Sequence, residues 1–576
     1  MAVSLAIDTK ESQFDPWNPG LESQVPTRLY HLCTIFRPEN VVTSVAEAVE
    51  LRDLTGLACS ELVLFRPERL ALHELLIRVT ANLSVPDGSK VEDLGINFRR
   101  MTVRILERAI APRMDEIRSA YEALRHGLAH AIDAELAALF APERRTEPSS
   151  LIADWDREAH ASGAEPRRAA CRALARVVSA LLIRHGRVWG SRELIGSLAT
   201  NLASNRFGSE ELGRQIEPWI AAAARDEGYL LLPRQDQPFV MNTKGPSASG
   251  KSTLRPLQKL LAGEIGVDWS EFALISPDIW RKQLIDYGSL GAEYKYGGAF
   301  TADELQLIDQ KLDRYMARKA ERGTMPHLLI DRFRFDSFAP DSDEAGSNLL
   351  TRFGRTVYLF FMITPPESLV ERAWKRGLEV GRYKAVDDTL AHGVEAYSGM
   401  PELFFTWAQR ADKRVHFEFL DNSVQLGERP RTVAFGWNDE MNVLDVKCML
   451  DVERYQRVNI DAASPAQLYR DAALLAPERN AAFLRQCVER FRFLNFADQA
   501  TGRVYLHLES GRPIWADAAA LRRALADADT RAGLLATVRD ALDTLPDDPA
   551  KPHELSDSAD GKPTHTLGRW AHGERP

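Results

Sequence analysis

A chain of 576 residues exceeds what one hydrophobic core supports at roughly 150 residues per domain, so several structural units are expected. Its 45% hydrophobic and 27% charged content excludes wholesale disorder, and a net charge of -9 excludes a general attraction to nucleic acid, leaving only a local basic patch for such a partner. Cys33, Cys59, Cys171, Cys448 and Cys487 are scattered without C-x-x-C spacing, which points to a reducing compartment and away from a zinc site or disulfide framework.

Taken in order, Met1–Ile7 lacks a basic start and meets Asp8 too soon for a secretory leader, and no apolar run approaches the roughly 18 residues of a membrane helix, so a cytoplasmic protein with no membrane partner is expected. Residues 1–25, rich in Pro, Gly and Asp, read as an extended arm opening a helical N-terminal domain over 1–141. Within it, apolar residues recur at three- and four-residue steps through Leu70–Val79 and Met101–Phe140, and the segment from Met114 toward Leu136 predicts one long helix. Pro142–Arg168 reads as a linker or exposed loop, and 169–235 as a second helical segment that ends where strand-like runs begin.

Arg125 and His130 lie five residues apart on the presumed long helix. The pair resembles the R-[N/D/H]-x-x-x-H signature of the HEPN ribonucleases, in which Arg and His act on an RNA phosphodiester. The alternative is two solvated basic side chains, the commoner origin of so short a pattern.

Gly245-Pro246-Ser247-Ala248-Ser249-Gly250-Lys251-Ser252-Thr253 fits G-x-x-x-x-G-K-[ST], the Walker A or P-loop pattern. The apolar run Phe239–Met241 precedes it and an amphipathic segment begins near Ser252, supplying the strand-loop-helix context. Gly245 and Gly250 allow turns that a Cβ would obstruct, Lys251 supplies a point charge for β- and γ-phosphates, and the Ser252 hydroxyl suits Mg²⁺. ATP and Mg²⁺ are the cofactors this implies.

From Phe239 onward, strand-like runs at Phe239–Thr243, Phe272–Ser276, His327–Asp331, Val357–Ile363 and Val415–Asp421 alternate with stretches long enough for crossover helices, which predicts a parallel, doubly wound α/β sheet over 236–425. Ligands of such sheets sit beyond the carboxyl ends of the strands. That rule selects the loop, Asp278, Asp331 and Thr364-Pro365-Pro366. Asp278 can take a proton from an attacking hydroxyl while Arg281 holds the acceptor, or it can be a helix N-cap. Asp331 can stand near Mg²⁺, or simply end a strand. Arg372, Lys375, Arg376 and Arg382 offer cations for a lid over the phosphates, or a solvated helix face.

The order of these parts resembles the zeta-toxin and polynucleotide-kinase-like group of P-loop kinases over residues 236–425. The resemblance implies Asp278 as general base, Lys251 and Ser252 on ATP and Mg²⁺, and Arg376 and Arg382 as lid cations; Arg281, Asp331 and Arg334 are expected toward the substrate, with Asp331 also near the metal. It further implies a small nucleotide-like phosphate acceptor, a UDP-sugar or NAD, and an antitoxin or regulatory protein as partner. The sequence departs from the family at Asp331-Arg332-Phe333-Arg334-Phe335-Asp336 and in the insert Gly288–Thr301. Polynucleotide 5′-hydroxyl kinase and HEPN-type ribonuclease with a regulatory P-loop domain remain alternatives, whereas a GTPase finds no N/T-K-x-D signature.

Beyond 425, strands at Pro430–Trp437, Met441–Lys447 and Arg503–Leu508 and helices near Pro465–Leu494 and Asp517–Leu542 predict a mixed α+β extension over 426–543, with Asn438-Asp439 as a hairpin turn. Thr544–Pro576 lacks periodicity and reads as a disordered tail.

Overall fold

A computed structural model describes residues 14–88, 90, 92–141, 147–161, 165–332, 349–425, 427–542, 554–555 and 564–571. The chain divides into two compact units, one of Gln24–Leu232 with Pro277–Tyr315, the other of Met1–Ser23, Pro233–Ser276 and Met316–Pro576.

The first unit is helical. Its helices start and stop where local chemistry dictates: the Ser44 side chain accepts from the Glu47 amide to open Val45–Thr55, and Gly56 closes it in the left-handed region at φ +74°. The long helix forms as expected, over Met114–Leu139, burying Ile117, Tyr121, Leu128, Ile132 and Leu136. Leu128, Ile132 and Leu136 share one core with Leu174, Val178, Leu181 and Leu198, so the helices on both sides of residues 142–168 belong to one body. Within that stretch, read from sequence as a linker, Pro148–His160 is a helix with Trp155 and Ala159 buried. Pro148 occupies its first turn, where a missing N–H costs nothing.

Residues 277–315 join the same unit through a buried polar string. Arg69 donates from Nε and Nη2 to the two oxygens of Glu304 at 2.5 and 2.7 Å, and His73 Nε2 lies 2.6 Å from Glu304 Oε1. Lys311 Nζ donates to Ser209 Oγ and sits 3.1 Å from His73 Nδ1. Burial holds His73 down at about 4, so its ring is neutral and bridges these partners.

The second unit is built on a ten-stranded mixed sheet. The five expected strands are β1 (Phe239–Lys244), β2 (Phe272–Ile275), β3 (His327–Asp331), β4 (Thr356–Ile363) and β5 (Arg414–Asp421). They pair in parallel, with Val240 opposite both Leu328 and Val357. Val357 to Ile363 is buried without alternation, as a strand covered on both faces must be.

The expected extension does not stand apart from this sheet. β6 (Arg431–Trp437) runs antiparallel to β5, and β7 (Glu440–Val443), β8 (Phe493–Ala497), β9 (Val504–Glu509) and β10 (Arg512–Ala516) carry the sheet onward. The full strand order is β10-β9-β8-β7-β6-β5-β4-β1-β3-β2. The hairpin turn falls at Asn438 with φ +36°, a conformation asparagine tolerates. Two sequence expectations change here. The strand predicted over Met441–Lys447 gives way at Val446 to a helix capped by Asp445, whose side chain accepts from Cys448 N–H. The helix predicted near Pro465–Leu494 is confined to Ala482–Arg490 plus short 3₁₀ turns, and its end is cut back where Phe493–Ala497 pairs between β7 and β9. Neighbouring strands there override a helix-like local pattern.

The tail expectation changes in part as well. Thr564–Ala571 lies on the sheet: Arg569 bridges Arg431, and the Leu567 and Gly568 N–H groups donate to the two oxygens of Glu418 at 2.6 and 2.9 Å. Thr432 Oγ1 gives Glu418 a third donor. Burial nevertheless dominates and pushes the Glu418 carboxyl up to about 7 from an ordinary 4.5. The folded protein therefore retains a proton that the unfolded chain releases, and stability contributed by Glu418 is present below about 4.5 and lost as pH rises toward 7, by on the order of 3 kcal/mol. Glu418→Gln is expected to flatten this dependence and to be less stable than wild type at pH 5, where its amide NH₂ opposes a backbone N–H. Denaturant midpoints at pH 5 and pH 8 check it; equal pH dependence in both proteins would refute the assignment.

Candidate phosphate-binding loop

The loop leaves the carboxyl end of β1, between β3 and β4, where a parallel sheet reverses its strand order. Two of its residues must be glycine. Gly245 has φ +155°, and a Cβ there would lie 2.8 Å from Met362 Cβ on β4; Gly250 has φ +90°, and a Cβ would lie 2.3 Å from Asn422 Nδ2. Ala248 also takes a left-handed conformation, φ +65°. The sequence predicts a helix from Ser252; instead Lys251–Leu254 is a 3₁₀ turn and the α-helix spans Arg255–Glu264.

Side chains from three strand ends hold the loop. Asn422, just past β5, donates to Ser249 O at 2.7 Å, and Thr364, just past β4, donates to the same carbonyl at 3.3 Å. Asp331, the last residue of β3, accepts from Ser252 Oγ at 3.0 Å and lies 3.5 Å from Arg255 Nη2. Lys251 folds back, its Nζ donating to Gly245 O at 3.1 Å and Pro246 O at 2.9 Å. Ser249 Oγ is fully buried and meets no hydrogen-bond partner among the described residues. A buried hydroxyl without a partner is costly, which fits a loop shaped for a bound group.

The donor set fits Mg²⁺, which keeps most of its ligands as water and phosphate and needs few from protein. Ser252 Oγ and Asp331 Oδ2 are hard oxygens at contact distance. Among the described residues no cluster of three or more His, Cys, Asp or Glu side chains could hold a metal alone.

The helix Pro366–Val380 follows Thr364. Arg372, weighed with the lid cations, donates from Nη2 to Asn422 O at 2.8 Å and Val424 O at 3.0 Å, so it anchors the segment that pins the loop. Arg376 Nε lies 3.4 Å from Arg382 O, joining the helix to the turn beyond it. Sequence reasoning missed Asn422 and Arg255, and also Lys384, Asp388 and His392 beyond that turn. The strand-end rule that selected Asp331 selects Asn422 equally, since it directly follows the expected strand Val415–Asp421.

Asp278 and Arg281 lie in the helical unit. Asp278 sits on the 3₁₀ turn Pro277–Trp280 with its side chain 48% exposed, and Arg281 Nε donates to its Oδ1 at 2.9 Å. Arg281 Nη1 donates to Gly298 O at 2.6 Å and Thr301 Oγ1 at 2.8 Å, tying the insert Gly288–Thr301 to this turn. The guanidinium thus has three protein partners. Arg334 lies outside the described residues, as does Asp336. Arg125 donates to Asn201 Oδ1 at 3.2 Å, and His130 is exposed about 140° farther round the helix, so the two do not share a face.

Compared with protein-family models, curated proteins and solved structures, the chain matches none of them. No helix among the described residues is long and apolar enough to cross a membrane.

Proposed function

We propose that this protein is an ATP- and Mg²⁺-dependent P-loop kinase that transfers the γ-phosphoryl group to a hydroxyl of a small nucleotide-like acceptor, a UDP-sugar or an NAD-like dinucleotide. The observation that carries this reading is the 3.0 Å hydrogen bond from Ser252 Oγ to Asp331 Oδ2 at the foot of a loop whose two glycines admit no Cβ. A hydroxyl and a carboxylate brought together beside such a loop form the metal edge of a nucleotide site.

Bound ATP·Mg²⁺ supplies the electrophilic phosphorus. Lys251 exchanges the Gly245 and Pro246 carbonyls for phosphate oxygens and places its charge on them. Ser252 and Asp331 would hold the metal, Asn422 and Thr364 keep the loop in place, and Arg376 and Arg382 would screen the phosphates from water. By the family resemblance, Asp278 would take the acceptor's hydroxyl proton, its orientation fixed by Arg281. In this reading the enzyme is cytoplasmic, and its protein partner is an antitoxin or regulator.

Incubation of the purified full chain with γ-labelled ATP and a panel of UDP-sugars, NAD, nucleosides and 5′-hydroxyl oligonucleotides tests it. Label is expected in one small-molecule class and to depend on Mg²⁺. Label appearing only in oligonucleotides would replace the acceptor assignment with end-healing, and absence of nucleotide binding would remove the kinase reading.

A further inference from the structure

The helix Pro366–Val380 ends at Gly381, left-handed at φ +72°, and the chain enters the next helix at Val386. Three titratable side chains meet across this turn. Lys384 Nζ contacts His392 Nδ1; Asp388 Oδ1 lies 3.3 Å from His392 Nε2, and Asp388 Oδ2 lies 3.6 Å from Lys384 Nζ. A ring nitrogen that accepts from an ammonium carries no proton, so the neutral ring holds its hydrogen on Nε2, toward Asp388. Lys384 is largely withdrawn from solvent, with its side chain 11% exposed.

The cluster feels the loop. Burial, followed by the charge of Lys384, holds the His392 imidazole down; Asp388 favours its proton, and the charge of Lys251 disfavours it, leaving it at about 4. Among the described residues, Lys384 from the turn, Asp388 one helical turn before the ring, and Lys251 from the loop exit are the charged groups that face this imidazole. Lys251 is also the residue that folds over Gly245 and Pro246. An anion entering beside Lys251 and Lys384 reverses the field at the ring.

On the basis of the kinase reading, we propose that Lys384 and His392 form a phosphate-contacting pair beside the loop, in which arrival of a phosphoryl group is coupled to uptake of one proton by His392. The proton comes from solvent and bonds to Nδ1. The Lys384 ammonium thereby loses its ring acceptor and donates to a phosphate oxygen instead, while Asp388 keeps the Nε2–H. No other bond forms or breaks. The phosphate belongs either to the nucleotide's terminal group or to a phosphorylated acceptor.

Titration calorimetry of the full chain in buffers of different ionisation enthalpy reads the proton directly, with non-hydrolysable AMP-PNP, with ADP, and with ADP plus a UDP-sugar or NAD. Wild type is expected to take up about one proton more than His392→Gln in at least one arm near pH 6, and its affinity there is expected to gain up to about tenfold for each unit of falling pH, a gain the variant lacks. Uptake with AMP-PNP but not ADP assigns the phosphate to the nucleotide; uptake only in the third arm assigns it to the acceptor. Lys384→Ala is expected to weaken the same arm while binding ADP like wild type, and histidine-ring nitrogen shifts report the His392 tautomer independently of any substitution. Binding with equal proton uptake in wild type and His392→Gln overturns the proposal and leaves the kinase reading standing. Absence of nucleotide binding by wild type overturns both.

Discussion

Lys251→Ala is expected to abolish phosphoryl transfer while leaving the fold in place. Without nucleotide, Lys251 Nζ serves the Gly245 and Pro246 carbonyls, bonds of 3.1 and 2.9 Å worth about 1 kcal/mol each and replaceable by water. The loop itself is held by Asn422 and Thr364 on Ser249 O, bonds that do not involve Lys251. The loss therefore falls on the phosphates, where a charge close to the transferring group has no substitute in solvent. Transfer of label from γ-labelled ATP, read beside an unfolding midpoint, checks this. A variant that turns over like wild type would end the kinase reading, and one that unfolds would show that the lysine is a structural brace.

Asp278→Asn is expected to lower turnover by roughly 10²–10⁴-fold with little change in nucleotide affinity, the range typical of general-base assistance. A loose phosphoryl-transfer transition state, which needs the base chiefly to orient the hydroxyl and receive its proton late, places the effect toward the lower end. Asn keeps an oxygen for the 2.9 Å bond from Arg281 Nε, so Arg281 continues to tie Gly298 and Thr301 to the turn. Single-turnover kinetics with the acceptor found by labelling, together with calorimetry for the nucleotide, separate the two quantities. Unchanged turnover would make Asp278 a turn residue, and proton capture would pass to Asp331 or Asp336.

Arg281 illustrates how a plausible role narrows. Sequence alone offers it to the acceptor, and its free geometry would allow that; the structure gives its Nε and Nη1 to Asp278, Gly298 and Thr301. In the proposed mechanism it therefore orients Asp278 and the insert. Arg372 narrows in the same way, from one of several lid cations to the anchor of Asn422 and Val424.

Features encoded by short-range chemistry are legible in the chain before it folds. The five parallel strands were legible because each carries a short apolar stretch bounded by charge, Gly or Pro, unbroken in β4 over Val357–Ile363, and the loop because its glycines, lysine and serine sit within nine consecutive residues. The long helix was legible from its apolar spacing. The remaining contacts depend on how the strands are ordered in space. Ser252 meets Asp331 across 79 residues, and Ser249 meets Asn422 across 173, because β1 lies between β3 and β4 with β5 beyond, an order no local pattern records. β8 becomes a strand, and Leu567 and Gly568 become ligands of Glu418, only because neighbouring elements offer hydrogen bonds and burial that those segments lack on their own. Periodicity reports how a segment meets its surroundings on average; which atoms it meets depends on the order in which the strands assemble.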